Sequence, residues 1–117
     1  MMATAEKLNY LLETKNQIKN ANSGGINPRT AIGQRQDGIV LMLVTDGRRA
    51  TKPGADMNDL IEIMERYGAY NAVNLDGGTS SAMVVGNKII NDPIDSSGAH
   101  RTRYIATGFI LTKKVED

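Results

Sequence analysis

Hydrophobic positions along the chain change their spacing several times, and each change marks an element. Between residues 4 and 21, Leu8, Leu11, Leu12 and Ile18 recur at helical spacing, with Lys7, Glu13, Lys15 and Lys19 on the other faces. That pattern predicts an amphipathic helix. Thr4 is placed to cap it, and Glu6 sits in the first turn, where the helix dipole favours an acid. The apolar stripe is narrow, and a lone helix of this kind is marginal in water. It is expected either to dock on the rest of the chain or to pair with a copy of itself. Asn22-Ser-Gly-Gly25 then breaks the pattern. The expected organisation is an N-terminal helix over 1–22, a linker over 23–25 and a domain over 26–117.

Strand periods follow. Asn27 to Gly33 reads as a loop entering a short strand, and Gln34 to Gly38 as a hairpin turn ending in Asp37-Gly38. Ile39-Val-Leu-Met-Leu-Val44 is an unbroken apolar run between Gly38 and Asp46-Gly47, which predicts a central strand buried on both faces. Met57, Leu60, Ile61 and Met64 keep the i, i+3, i+4, i+7 rule and predict a helix over 56–67, capped by Asp56 and ended by Gly68. Residues 70–75 read as the next strand. Ala82–Val85 and Lys88–Asn91 flank Gly86-Asn87, a two-residue hairpin signal. A polar loop over 92–101 precedes a final predicted strand, Tyr104–Leu111, with Gly108 at a bulge. Strand 39–45, helix 56–67 and strand 70–75 have the size of a βαβ unit with parallel strands and a right-handed crossover. The expected fold is therefore a mixed α+β or α/β domain: one small mixed sheet with a crossover helix, plus the N-terminal amphipathic helix.

Composition narrows the chemistry. The 117 residues suit one small domain, and with a single Phe and no Trp, Met and β-branched residues must fill much of its core. A formal net charge of +1 argues against a nucleic-acid or membrane-surface binder. With no cysteine there is no disulfide, thiolate zinc site or cysteine nucleophile. Metal ligands do not occur at a recognisable spacing, and no cofactor is expected. No apolar run is long enough to span a membrane, and the N-terminus is amphipathic rather than signal-like. This fits synthesis as a soluble cytosolic protein, with a final location either cytoplasmic or virion-associated.

The richest stretch is Asn71–Ser81. A short strand runs into Asp76, which is the only acid between Glu65 and Asp92, and Gly77-Gly78, Thr79, Ser80 and Ser81 follow. Paired glycines let backbone N–H groups approach a ligand, and short hydroxyls add donors and acceptors. Asp-Gly is equally a turn signal, so a plain hairpin turn stays open. If the βαβ unit forms, Asp46 and Asp76 lie at one rim of the sheet, where open α/β sheets bind ligands. Arg48 and Arg49 follow the first acid, and an arginine there suits a bidentate grip on phosphate. Two rim carboxylates can cleave a sugar or phosphate ester, with one protonating the leaving oxygen. The other acts as a nucleophile at ~5 Å separation, or as a base on water at ~6.5–9.5 Å. Alternatively, Asp46 only pairs with Arg48 or Arg49, or caps its own turn. His100 is either an acid/base or a solvated loop residue. Ser80 and Ser81 have no histidine placed by motif to activate them. Arg101 and Arg103 alternate, as a second anion contact or an exposed edge.

Taken in order, Asn27-Pro-Arg-Thr-Ala-Ile-Gly33, Asp37-Gly38, Thr45-Asp-Gly-Arg48, Gly68-Ala69 and Asn74-Leu-Asp-Gly-Gly-Thr-Ser-Ser81 resemble the phosphodiester glycosidase family. The resemblance covers residues 26 to about 112. It implies hydrolysis of a sugar-1-phosphodiester at the glycosidic bond. It also implies that Asp76 is an acid/base or sugar-orienting residue and that Arg29 and Arg48 hold phosphate. Thr30 and Ser80 match the motifs, and the N–H groups of Gly77 and Gly78 would hold oxygens. With Asp46, Ser81 and Arg101 from the reading above, these make up the candidate site. The family's earlier Asn-Gly-rich segment is not matched, and residues 1–21 stand in its place. That stretch resembles N-terminal helices of phage and prophage tail or baseplate proteins. The combined expectation is a phage-borne domain acting on sugar phosphate or cell-surface glycopolymer, self-associating through the helix. The alternative is a structural or carbohydrate-binding module that kept the fold without the activity.

Overall fold

The computed structural model describes residues 2–4 and 25–115, so the expected helix over 4–21 lies outside the described residues, apart from Thr4. The elements are β1 (Met2–Thr4), β2 (Arg29–Arg35), β3 (Val40–Thr45), α1 (Met57–Arg66), β4 (Ala69–Asn74), β5 (Val84–Val85) and β6 (Lys88–Ile89). A 3-10 turn over Gly78–Ser80 follows β4. Asp37-Gly38 reverses the chain as expected: Gly38 N–H donates to Arg35 O at 3.0 Å, and Arg35 N–H to Ile39 O at 2.8 Å. This pins β2 against β3. The other edge of β2 then takes β4, and β1 adds beyond it, giving the order β1-β4-β2-β3.

Every neighbouring pair in this sheet is antiparallel, which corrects the expected mixed sheet. β3 and β4 are both antiparallel to β2, so they do run parallel to each other, but with β2 inserted between them. The helical crossover exists; the two strands it joins are not adjacent. The same insertion corrects the expected burial of β3. Among the described residues its one neighbour is β2, and α1 covers only the face carrying Leu41 and Leu43. Val40 and Met42, on the opposite face, are 49% and 40% exposed.

α1 starts where the sequence sets it. Asp59 N–H donates to Asp56 Oδ1 at 2.9 Å and Asp56 N–H to Asp59 Oδ2 at 2.8 Å, a reciprocal capping box. Its buried face carries Leu60, Ile61 and Met64. Leu60 and Met64 pack with Ala31 and Ala69, and Leu41, Leu43, Met57 and Ala72 close around them. Removing these side chains from water is the main stabilising term of so small a domain. β5 and β6 pair across Gly86-Asn87, whose φ values of 56° and 65° give the expected two-residue turn. The ladder is shorter than the predicted strands. Beyond it Asn91 takes over, accepting from Met83 N–H and donating to Ser81 O.

The predicted strand Tyr104–Leu111 does not form, and residues 101–115 are exposed. Its apolar composition is real, but it joins no ladder, so the bulge expected at Gly108 goes with it. Phe109 rests on the sheet face that no described helix covers, where it helps line a shallow apolar groove of about 190 Å³ with Ile32, Val40 and Val73.

Candidate active site

The end of β3, the end of β4 and the start of β2 meet around Pro28. A side chain at Gly47 would place its Cβ 2.5 Å from Pro28 N, and one at Gly77 would sit 2.8 Å from Pro28 O. Both are closer than real Cβ contacts come, so the two Asp-Gly pairs, Asp46-Gly47 and Asp76-Gly77, press on Pro28 from the strands on either side of β2. Gly78 N–H then donates to Pro28 O at 2.8 Å. Ser80 and Ser81 N–H close the 3-10 turn onto Gly77 O and Gly78 O. Asp76 is left exposed at the rim.

Arg48 locks this turn to the loop that follows β6. Its Nη1 donates to Thr79 Oγ1 at 3.0 Å and to Ile94 O at 2.8 Å. The residue holds φ at 60°, a left-handed conformation rare for a side chain of this size. Gly78 has φ 61°, and a Cβ there would lie 3.0 Å from Arg48 Nη2, so a bare backbone is what admits the guanidinium.

Arg29 is 8% exposed. Its Nε donates to Ala55 O at 2.9 Å and its Nη2 to Gly25 O at 2.5 Å, while its backbone N–H donates to Thr45 Oγ1. Burial pushes its pKa down, opposed by the charge of Asp56. Thr30 and Ser81 carry buried hydroxyls without a hydrogen-bond partner among the described residues, and Ser80 is also buried.

Asp46 faces a different set of groups. Its Oδ2 lies 3.1 Å from Arg49 Nη2 and 3.6 Å from Lys52 Nζ, and its Oδ1 accepts from Asp92 N–H at 2.8 Å. Asp92 in turn pairs with Arg49 Nη1 at 3.2 Å and with His100 Nδ1 at 2.7 Å. The His100 bond is the main reason the Asp92 carboxyl lies below its usual range, with Arg49 and Lys52 adding to it. Asp95 is 4% exposed. Its Oδ1 accepts from the Ser97 hydroxyl at 2.6 Å, Ser97 N–H at 2.8 Å and Ala99 N–H at 3.0 Å, and Arg101 Nε forms an ion pair with its Oδ2. These partners, led by the Ser97 hydroxyl, lower its pKa to about 2.

The structure thus gathers Asp76, Gly77, Gly78, Ser80, Ser81 and Arg48 into one turn, with Arg29 and Thr30 opening the strand beneath it. Asp46 lies at the same sheet edge within the Arg49–Asp92 network, and Arg101 braces Asp95. Asp92 and Asp95 join the site through no motif of their own. Asp95-Ser-Ser-Gly98 has the composition of a turn closed by an Asp side chain, the one local signal that points to Asp95. Among the described residues, no group of three or more His, Asp or Glu is placed to hold a metal ion.

Residues 3–112 match the model of the phosphodiester glycosidase family. The chain belongs to that family. The match begins at residue 3, ahead of residue 26 where the motif resemblance starts. The SPbeta prophage-derived uncharacterized protein YomE of Bacillus subtilis strain 168 is 41% identical over 68 residues, which is 58% of this chain and 11% of that protein. The bovine N-acetylglucosamine-1-phosphodiester alpha-N-acetylglucosaminidase is 31% identical over 70 residues, 60% of this chain and 13% of that protein. The solved catalytic domain of the zebrafish enzyme of that name, auto-inhibited by its pro-peptide, superposes with a TM-score of 0.56 at 26% identity. That superposition covers 66% of this chain and 26% of that one. The chain therefore spans a tenth to a quarter of the length of these relatives.

Proposed function

We propose that this domain hydrolyses the glycosidic bond of a sugar-1-phosphodiester, with Asp76 as the acid/base or sugar-orienting group. The observation that carries the reading is the form of the Asp76–Ser81 turn: an exposed carboxylate at a sheet rim, followed by a tight glycine turn held in place by Arg48. The N–H groups of Gly78, Ser80 and Ser81 are spent on Pro28 O, Gly77 O and Gly78 O, so the expected Gly78 contact to substrate is set aside and Gly77 N–H is the glycine donor left beside the acid. β3 and β4 are separated by one intervening strand, so the backbones bearing Asp46 and Asp76 stand about 10 Å apart on ordinary strand spacing. The prophage origin of one relative supports a phage-borne domain, and bacterial surface glycopolymers are the substrate class proposed for it. Self-association through Leu8, Leu11, Leu12 and Ile18 belongs to the same reading, and a monomer in sedimentation at high concentration would remove it.

A second reading, a carbohydrate-binding or structural module without activity, draws support from the arginines. Both Arg29 and Arg48 spend donors on backbone or hydroxyl oxygens of the fold itself. One assay separates the two. The wild type and Asp76→Asn are incubated with a panel of sugar-1-phosphate methyl diesters, and free sugar is measured. The enzyme reading expects turnover that falls by about 10²-fold or more in the variant. No turnover by the wild type, together with retention on cell-wall polymer, selects the binding module.

A further inference from the structure

We infer that His100, oriented by Asp92, is the general base that activates water in this site. The inference rests on the glycosidase reading above.

Its position comes from the backbone. His100 forms a bridge with Ile94, and the loop around them is closed by Asp95 N–H to Ala99 O and Arg101 N–H to Pro93 O, each at 3.0 Å. Ile94 O is also the carbonyl that Arg48 holds with the same Nη1 that binds Thr79 Oγ1. A single guanidinium nitrogen therefore fixes the strip carrying His100 beside the Asp76–Ser81 turn. Asp92 reaches the same place from the other end of the loop, its N–H on Asp46 Oδ1.

The protonation pattern follows from the partners. Asp92 Oδ1 lies 2.7 Å from His100 Nδ1, and a carboxylate oxygen can only accept, so Nδ1 carries the hydrogen. In the neutral ring this leaves Nε2 with its lone pair, on a side chain 63% exposed and open to water and substrate. Arg49 and Asp46 stand behind Asp92, Lys52 adjoins Asp46, and Arg101, the next residue along, is held by Asp95. A base oriented by a carboxylate, with its second nitrogen free, is the arrangement general-base catalysis needs.

The substrate class explains why a base is the missing part. The leaving group is a phosphate monoester, whose last pKa is about 6, so it departs as an anion near neutral pH with little need of a proton. Water is the poor partner. In the step, water adds to the anomeric carbon and gives a proton to His100 Nε2. The carbon–oxygen bond to phosphate breaks, its electron pair leaves with the phosphate oxygen, and the imidazolium then returns its proton to solvent.

The test is the pH dependence of kcat/KM on the same methyl diesters for wild type, His100→Ala, His100→Gln and Asp92→Asn. Expected are loss of the acidic limb and a fall of about 10²-fold in kcat at neutral pH for both His100 variants, with KM little changed. Added imidazole should restore part of the rate to His100→Ala only. Asp92→Asn should lower kcat less, and imidazole should not rescue it. Either His100 variant keeping the wild-type limb and rate overturns the inference while leaving the glycosidase reading intact. A wild type inactive on every diester overturns that reading and this inference with it.

Discussion

Arg48 Nη1 and Thr79 Oγ1 lie 3.0 Å apart across 31 residues of sequence. The same nitrogen also binds Ile94 O, so the Asp76 turn and the loop carrying His100 share one donor. Charge-assisted bonds that are partly sheltered contribute about 1.5–3 kcal/mol each when a partner is left unpaired. Arg48→Ala should therefore lower stability by about 2–3 kcal/mol, read as a lower urea midpoint with an unchanged slope. Arg48→Lys keeps the charge, but its ammonium sits on a shorter stem than Nη1 and cannot reach Thr79 Oγ1 and Ile94 O in the same geometry, so it should recover only part of the loss.

The two Asp-Gly pairs make a second prediction, because their residues differ in what a substitution meets. Gly77→Ala and Gly47→Ala drive a Cβ into the Pro28 backbone, which has no flexible end to move. Each should cost about 1–3 kcal/mol in thermal unfolding. Asp76→Asn alters an exposed side chain and should leave the melting temperature within a degree or two. A large drop in the Asn variant would mean that Asp76 supports the fold rather than the chemistry.

These contacts also show what a sequence can display. The Asp56 cap of α1, the Asp37-Gly38 reversal and the Gly86-Asn87 turn are local, written within a few residues, and all were legible. So was the Asp-Gly-Gly turn as a candidate site. The clamp on Pro28 was not, because three segments distant in sequence supply it. β3 and Tyr104–Leu111 fail for a related reason. Apolarity records that a segment suits burial, whereas its neighbours are decided by strand order. Once β2 inserts between β3 and β4, β3 becomes an edge among the described residues, and Tyr104–Leu111 pairs with no strand among them.

That asymmetry of cover gives a third prediction. Leu60 is 3% exposed within the core, whereas Phe109 is 60% exposed over the uncovered face. Leu60→Ala should cost about 2–5 kcal/mol. Phe109→Ala removes a larger side chain, yet should cost less than about 1 kcal/mol, since most of its surface already meets water. Chemical denaturation of the two variants side by side checks the ordering, and a costly Phe109→Ala would show that the groove it lines is a core.

Acid should act through the loop. The Asp95 carboxyl titrates at about 2, below its ordinary value near 3.8. A group depressed in the folded state contributes stability above the unfolded pKa and loses it as pH falls through the folded one. The contribution is therefore full above about pH 4 and fades between about pH 4 and pH 2. Asp92, lowered mainly by its bond to His100, works in the same direction. Between pH 5 and pH 2 the wild type should lose stability more steeply than Asp95→Asn, which has no carboxylate to protonate. Equal slopes would place the acid sensitivity elsewhere.

Asp46 offers the last test, because its two oxygens serve different partners. Oδ2 meets Arg49 and Lys52 in ion pairs that solvent reaches, and pairs of that kind contribute at most about 1 kcal/mol. Oδ1 accepts the backbone N–H of Asp92, the residue that orients His100. Asp46→Asn can keep that acceptor while surrendering the charge, so its stability should fall only slightly, with a smaller response to added salt. Asp46→Ala removes the acceptor and should cost about 1–3 kcal/mol more, the penalty of a sheltered donor left unbonded. If Asp46 is itself catalytic, both variants lose activity alike. If it is a support for Asp92, activity follows the N–H bond: Asp46→Asn stays close to wild type while Asp46→Ala falls towards Asp92→Asn.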